Sequence, residues 1–199
     1  MNRHPAMRRR GQPGDAPDRL PAAIALPPPE SSRQGSRRLA FEVPANAVEA
    51  VRPPPLLADA LHGGLPGQLP NDWTGTAERL VAIGERFAFA PRLFGSLMWQ
   101  CVTGLPYVRD SSDFDLLWTV PPGGEARVPA LLDALDTVAR NTVARSGRRL
   151  DGEIVFADIG AANWRELLAA GPGDAVLVKT ETAVTLMTRA QLLEPATRP

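Results

Sequence analysis

Phe94-Gly95-Ser96-Leu97-Met98-Trp99-Gln100 and, shortly after, Ser112-Asp113-Phe114-Asp115-Leu116-Leu117-Trp118 are the two strings whose order decides how this sequence reads. Residues 114–120 form a strand-like run, and on a strand Asp113 and Asp115 project to one face, about 6.5–7 Å apart at ~3.3 Å rise per residue, while Phe114 points to the opposite, buried face. Two carboxylates at that spacing can share a divalent cation. Magnesium suits them, because it takes hard oxygen ligands, keeps several waters, and completes its shell with substrate phosphate oxygens. In the first string an apolar residue leads into Gly95-Ser96 and then a short helix over 97–103. Free amides and the positive end of the helix dipole favour an anion there, Gly95 lets a phosphate approach the backbone, and Ser96 can donate its hydroxyl.

Working outward, Thr74 or Thr76 is placed to cap a helix that runs through Leu80, Val81, Ile83 and Phe87 to Ala90, where Pro91 forbids continuation. A second helix is predicted from Val128 to Ser146, with Leu131, Leu132, Leu135, Val138 and Val143 on one face and Gly147 as its stop. Further strands are predicted at 150–157, 175–179 and 184–187. Helices alternating with strands give an α/β or α+β domain, with helices packed on a mixed sheet.

Toward the amino terminus the pattern weakens. Residues 1–20 read as a disordered tail that includes Arg8-Arg9-Arg10. Ala22 to Leu26 and the alternating run from Arg38, ended as a strand by Pro44, can form a small sheet. Pro53-Pro54-Pro55, Gly63-Gly64 and Gly67 punctuate the next stretch, so a small β-rich unit over 21–70, linker included, is expected to precede a main domain over 71–199.

Composition excludes several classes. The 199 residues carry 22 basic and 22 acidic side chains, a balance that argues against a nucleic-acid partner. No run approaches the ~18 apolar residues a membrane helix needs. The single Cys101 cannot form an intramolecular disulfide, which points to a reducing cytoplasm, and His4 and His62 lie in Pro/Gly-rich sequence that makes a zinc site with Cys101 unpromising. All basic residues but Lys179 are arginine; so uniform a bias lowers the significance of any arginine cluster and raises that of Lys179. Lys179 ends an apolar strand and could neutralise a phosphate, although a surface lysine snorkelling from a strand end is the simpler reading. Trp164 and Arg165 could stack on a base or clamp a phosphate, with helix packing the commoner role for such a tryptophan. Trp99, Gln100 and Cys101 read as core.

Apolar-Gly-Ser, a helix, and then a strand with Ser-Asp-x-Asp-Leu, in that order, resembles the nucleotidyltransferase superfamily built on the polymerase-beta-like core. The resemblance implies an α+β fold and a third acidic residue from a later strand, completing a two-metal site in which one metal activates the acceptor hydroxyl and the other neutralises the departing pyrophosphate. Asp151 and Glu153 in Leu150-Asp151-Gly152-Glu153-Ile154 are the candidates, and the pattern does not choose between them.

Longer strings narrow the resemblance: Phe94 to Gln100, Thr103-Gly104-Leu105-Pro106-Tyr107-Val108, Ser112 to Trp118, Asp151 to Val155, Asn163-Trp164-Arg165-Glu166-Leu167-Leu168 and Val176-Leu177-Val178-Lys179-Thr180. Together with Pro53 to Leu57 they are similar to the malonate decarboxylase holo-acyl-carrier-protein synthase family, phosphoribosyl-dephospho-CoA transferases. That family implies 2'-(5-triphosphoribosyl)-3'-dephospho-CoA as donor and a serine of the acyl-carrier subunit of malonate decarboxylase as acceptor. It further implies Mg2+ on Asp113 and Asp115, and Gly95 and Ser96 at the substrate. Family members normally carry a further amino-terminal stretch before the part matching Ala6 to Arg10, so a shortened amino-terminal domain is expected here. From the residues alone two other readings stay open: another magnesium-dependent nucleotidyltransferase, small-molecule or antitoxin-like, and an inactive binding module.

Overall fold

The computed structural model of the chain describes residues 6–8, 18–27 and 37–194. Most of the expected tail, including Arg9-Arg10, and Pro28-Pro29 lie outside the described residues. Within the stretch read as tail, Met7–Arg8 forms β1 and Arg19 opens β2 (Arg19–Leu26). β2 pairs antiparallel along its whole length with β3 (Arg37–Pro44), giving a small sheet in the order β1-β2-β3. It is tied to the rest of the molecule by Ala25, whose side chain joins the main core and whose carbonyl accepts a 2.8 Å hydrogen bond from the buried Tyr107 hydroxyl.

Residues 55–61, inside the stretch expected to separate the two parts, pack on the main domain. α1 (Leu57–Leu61) buries Leu57 and Ala60 against that core, Leu56 bridges to Arg92, and Leu93 N donates to the Pro55 carbonyl. α2 (Thr74–Phe87) follows a 3-10 turn at Asn71–Trp73. Neither expected threonine caps it: Trp73 occupies the cap position without a side-chain bond, and Thr76 is buried with its hydroxyl 3.5 Å from that of Thr142. The helix also stops before Ala90. Ala88 turns left-handed (φ 58°) and Phe89 N bonds back to the Gly84 carbonyl, a closure that releases Pro91 to start an edge strand, where a missing N–H costs no ladder bond.

The main sheet has six strands in the order β4-β5-β6-β7-β8-β9: Pro91–Leu93, Phe114–Val120, Leu150–Phe156, Gly160–Asn163, Ala175–Lys179 and Val184–Thr188. Only the β5–β6 pair is parallel, so the fold is α+β with a mixed sheet. α3 (Gly95–Thr103) connects β4 to β5, α4 (Val128–Ser146) makes the parallel crossover, α5 (Trp164–Ala169) joins β7 to β8, and α6 (Arg189–Leu193) follows β9. α4 ends at Gly147 as expected, with φ 68°. Its buried stripe runs through Leu131, Leu135, Val138 and Thr142; Val143, expected on that face, is 45% exposed because the helical repeat carries the stripe to position 142.

The sheet is one-sided in its central strands. Phe114, Leu116, Trp118 and Val120 of β5 and Leu150, Gly152, Ile154 and Phe156 of β6 are buried, and the apolar ones share a core with Leu97, Trp99 and Cys101 of α3, the α4 stripe, and Trp164 and Leu167 of α5. The alternating residues Asp115, Leu117, Asp151, Glu153 and Val155 are left partly exposed on the other face. Gly152 sits at the centre of the parallel pair with φ 136°, and a Cβ there would overlap the backbone of Leu116 on β5. Gly152→Ala is therefore expected to lose about 3 kcal/mol or more of stability, read as a lower urea midpoint, because backbone on backbone has no side chain that can give way.

Candidate active site

The parallel register places Asp115 opposite Asp151 and Leu117 opposite Glu153, so three carboxylates gather on the partly exposed face of two neighbouring strands. Asp113 is not on the strand as expected. It lies one residue before β5, in the segment leaving a turn in which Ser112 N donates to the Arg109 carbonyl and Ser112 Oγ accepts from Arg109 N. Its charge nevertheless acts on Asp115.

Burial first, and then the neighbouring charges of Asp151, Asp113 and Glu153, push the Asp115 carboxyl up from 3.8 to about 6, while Arg149 opposes them. A carboxylate so crowded by its own kind is an unbalanced negative site, which is the electrostatic condition for holding a cation.

The two predicted halves of the site meet. α3 begins at Gly95, Phe94 N donates to the Asp115 carbonyl at 3.1 Å, and Gly95 is left-handed with φ 58°. A Cβ on Gly95 would overlap the Asp115 carboxylate and lie 3.0 Å from its Cγ. Glycine is thus required twice, by the backbone and by the side chain opposite. The half-buried Ser96 comes next, in the first turn, where amides have no partner within the helix.

The turn before Asp113 is held from the far side of the sheet by Arg148. Its Nη1 donates to the carbonyls of Arg109 (2.9 Å) and Asp110 (3.1 Å), its Nε to Asp72 (2.9 Å), and its guanidinium lies 5.1 Å from the ring centre of Trp73, which stacks on Phe114. Arg148 carries no signal in the sequence, because an arginine-rich composition hides one whose side chain is only 14% exposed. Replacing it with methionine is expected to release the turn and lower thermal stability by about 2 kcal/mol, since several charge-assisted bonds are lost while carbonyls of the turn lose their donor.

The remaining candidates separate. Lys179 is brought to the site, but its Nζ is 2.5 Å from Glu153 Oε1, so it and Glu153 neutralise one another. Asp151 instead accepts through Oδ1 from Gly152 N and from Asn163 Nδ2, both at 2.9 Å. Arg165 turns away to donate to the Leu150 carbonyl and lies 4.4 Å from the ring centre of the buried Trp164, which is helix packing, the commoner of the roles weighed above. Trp99 and Cys101 are core as expected, and burial pushes the Cys101 thiol up to about 11, far from a nucleophile's range.

These residues fit magnesium by donor type: hard oxygens, an excess of negative charge, and a glycine on the neighbouring turn where a side chain would fill the space beside Asp115. Among the described residues no three acidic, histidine or cysteine side chains already converge on one point, and magnesium does not need them to, since one or two carboxylates with water and phosphate oxygens suffice. No helix among the described residues is long and apolar enough to cross a membrane.

A family model described as "Phosphoribosyl-dephospho-CoA transferase MdcG C-terminal domain" matches residues 57–190. The chain belongs to that family and is an enzyme of the transferase class. It is 36% identical over 197 residues to a phosphoribosyl-dephospho-CoA transferase of Bradyrhizobium diazoefficiens, covering 98% of this chain and 78% of that protein. It is 35% identical over 189 residues to the protein of the same name from Xanthomonas euvesicatoria, covering 94% of this chain and 80% of the relative. No solved structure gives a significant match.

Proposed function

We propose that this chain transfers the phosphoribosyl-dephospho-CoA group from 2'-(5-triphosphoribosyl)-3'-dephospho-CoA to a serine of the acyl-carrier subunit of malonate decarboxylase, releasing pyrophosphate. We also read its main domain as a polymerase-beta-like nucleotidyltransferase core. The observation that carries both is the juxtaposition of Asp115, paired with Asp151 across parallel strands, with Gly95 at the start of α3. The transferred group comes from the names of the relatives and the family; the triphosphoribosyl donor and the acceptor come from the family resemblance.

Asp113 and Asp115 are the residues that would hold magnesium, and of the two further candidates Asp151 would be the third ligand, because Glu153 pairs with Lys179. Bound there, the cation would supply Lewis acidity to the phosphoryl oxygens and the departing pyrophosphate. First-turn amides of α3 and the Ser96 hydroxyl orient the triphosphate, with Gly95 giving it access to the backbone. The serine oxygen attacks the α phosphorus, the α–β anhydride bond breaks, and a carboxylate of the cluster takes the serine proton. Lys179 stays paired with Glu153 and places its positive charge at the edge of the carboxylate site.

Apo carrier subunit incubated with this protein, Mg2+ and the triphosphoribosyl donor should gain the mass of the phosphoribosyl-dephospho-CoA group, and Asp113→Ala should abolish the gain. An unchanged carrier mass with folded protein would refute the assignment. The rate should also carry an acid limb near pH 6, because Asp115 must be ionised and its carboxyl is raised to about 6. Since a bound cation favours the ionised carboxylate, that limb should move to lower pH as Mg2+ is increased; a limb near the ordinary aspartate range at every Mg2+ concentration would contradict it.

A further inference from the structure

We infer that Asn163 is a positioning residue that fixes the rotamer of Asp151 and so prepares it for the cation; the inference rests on the carboxylate site proposed above. Asn163 ends β7 and is the N-cap of α5. Its Oδ1 accepts from Arg165 N at 2.9 Å and from Glu166 N at 3.4 Å. Those two amides can only donate, so they dictate which way the side-chain amide faces, and Nδ2 must then point away from the helix. The register does the rest: Asn163 stands opposite Glu153, which makes Asp151 its diagonal neighbour on the same face, and Nδ2 donates to Asp151 Oδ1 at 2.9 Å.

With Gly152 N as a second donor on the same oxygen, Oδ1 is committed, and among the described residues Oδ2 accepts no hydrogen bond. A free aspartate oxygen on a carboxylate whose other oxygen is held is the arrangement by which outer partners orient metal ligands. The cap of α5 therefore determines where an acidic oxygen on β6 points. The strand itself supplies one donor, the Gly152 amide, and among the described residues β5 places none on Asp151, so Asn163 is the side-chain partner that completes the hold.

The test separates capping from positioning. Serine caps a helix about as well as asparagine but has no group that can reach Asp151 while capping, so Asn163→Ser should keep its melting temperature close to that of the parent. Mn2+ binding to the protein without donor or carrier, followed by the electron paramagnetic resonance signal of free Mn2+, should weaken about 10- to 100-fold. Asn163→Gly, which also retains most of the capping propensity, should behave alike and guards against a serine-specific effect. In an Asp151→Asn background the Asn163→Ser change should have no further effect on Mn2+ binding, because its influence runs through that carboxylate. Unchanged Mn2+ affinity in Asn163→Ser, or an equal loss in the Asp151→Asn background, would overturn the inference while leaving the site standing. Absence of Mn2+ binding by the parent protein would overturn the inference, since Asp151 would then not be prepared for the cation, while the carrier-mass assay decides the site itself.

Discussion

Asp115→Asn should yield a protein that is more stable and inactive. Folding raises this carboxyl from 3.8 to about 6, so the folded state binds a proton more readily than the unfolded state. Stability assigned to Asp115 is then lost as pH rises from about 4 through about 6, and the full cost is present at neutral pH. That cost is on the order of 3 kcal/mol, and asparagine removes it without changing the side chain's shape. The melting temperature of the variant should exceed that of the parent by several degrees at pH 7.5, and the gain should vanish toward pH 4. Transfer should fall about a thousandfold or more, since the cation ligand proposed at Asp115 would be worth several kcal/mol in the transition state. A variant no more stable than the parent at pH 7.5 would show that Asp115 is not held at electrostatic cost.

Gly95→Ala should lose on both counts. The left-handed backbone at φ 58° costs an alanine roughly 1–2 kcal/mol, and the new methyl overlaps the Asp115 carboxylate, which must move. A displacement of about 1 Å at a reacting centre is enough for a hundredfold loss of rate. The two contributions can be separated by making the same change in an Asp115→Ala background, where the methyl no longer meets a carboxylate. There the stability penalty should shrink to the backbone share, measured by urea denaturation. An equal penalty in both backgrounds would mean that Gly95 is needed for its conformation alone.

How much of this was legible depended on whether a signal was local. β5 and β6 announced themselves through alternating apolar residues, and α4 through its stripe and its terminal Gly147. β7 did not, because Gly160-Ala161-Ala162-Asn163 has no strand propensity; it pairs because a tight turn with Asp158 at φ 60° and Gly160 at φ 137° folds it back on β6. β4 was hidden by its proline and its length, and α1 by the prolines before it. The carboxylates and Gly95 could be named from sequence, but the proposed preference for Asp151 over Glu153 depends on Lys179 arriving from β8, a contact no spacing encodes. Asn163 did carry a local signal: asparagine three residues before Glu166 is a helix-start pattern, though nothing in it reveals the second partner on β6.

Seen by residue number, β5 and β6 keep two separate accounts of the same chain. From 114 to 120 and from 150 to 156, even numbers face the core and odd numbers lie on the partly exposed face that carries Asp115, Asp151 and Glu153. Acceptor or donor preference could therefore drift through the odd positions with little effect on folding, while the even positions answer only to packing. The same parity makes the parallel pair intolerant of a single inserted or deleted residue within either strand. Such a change would turn carboxylates inward and aromatic rings outward in one step, ending fold and activity together.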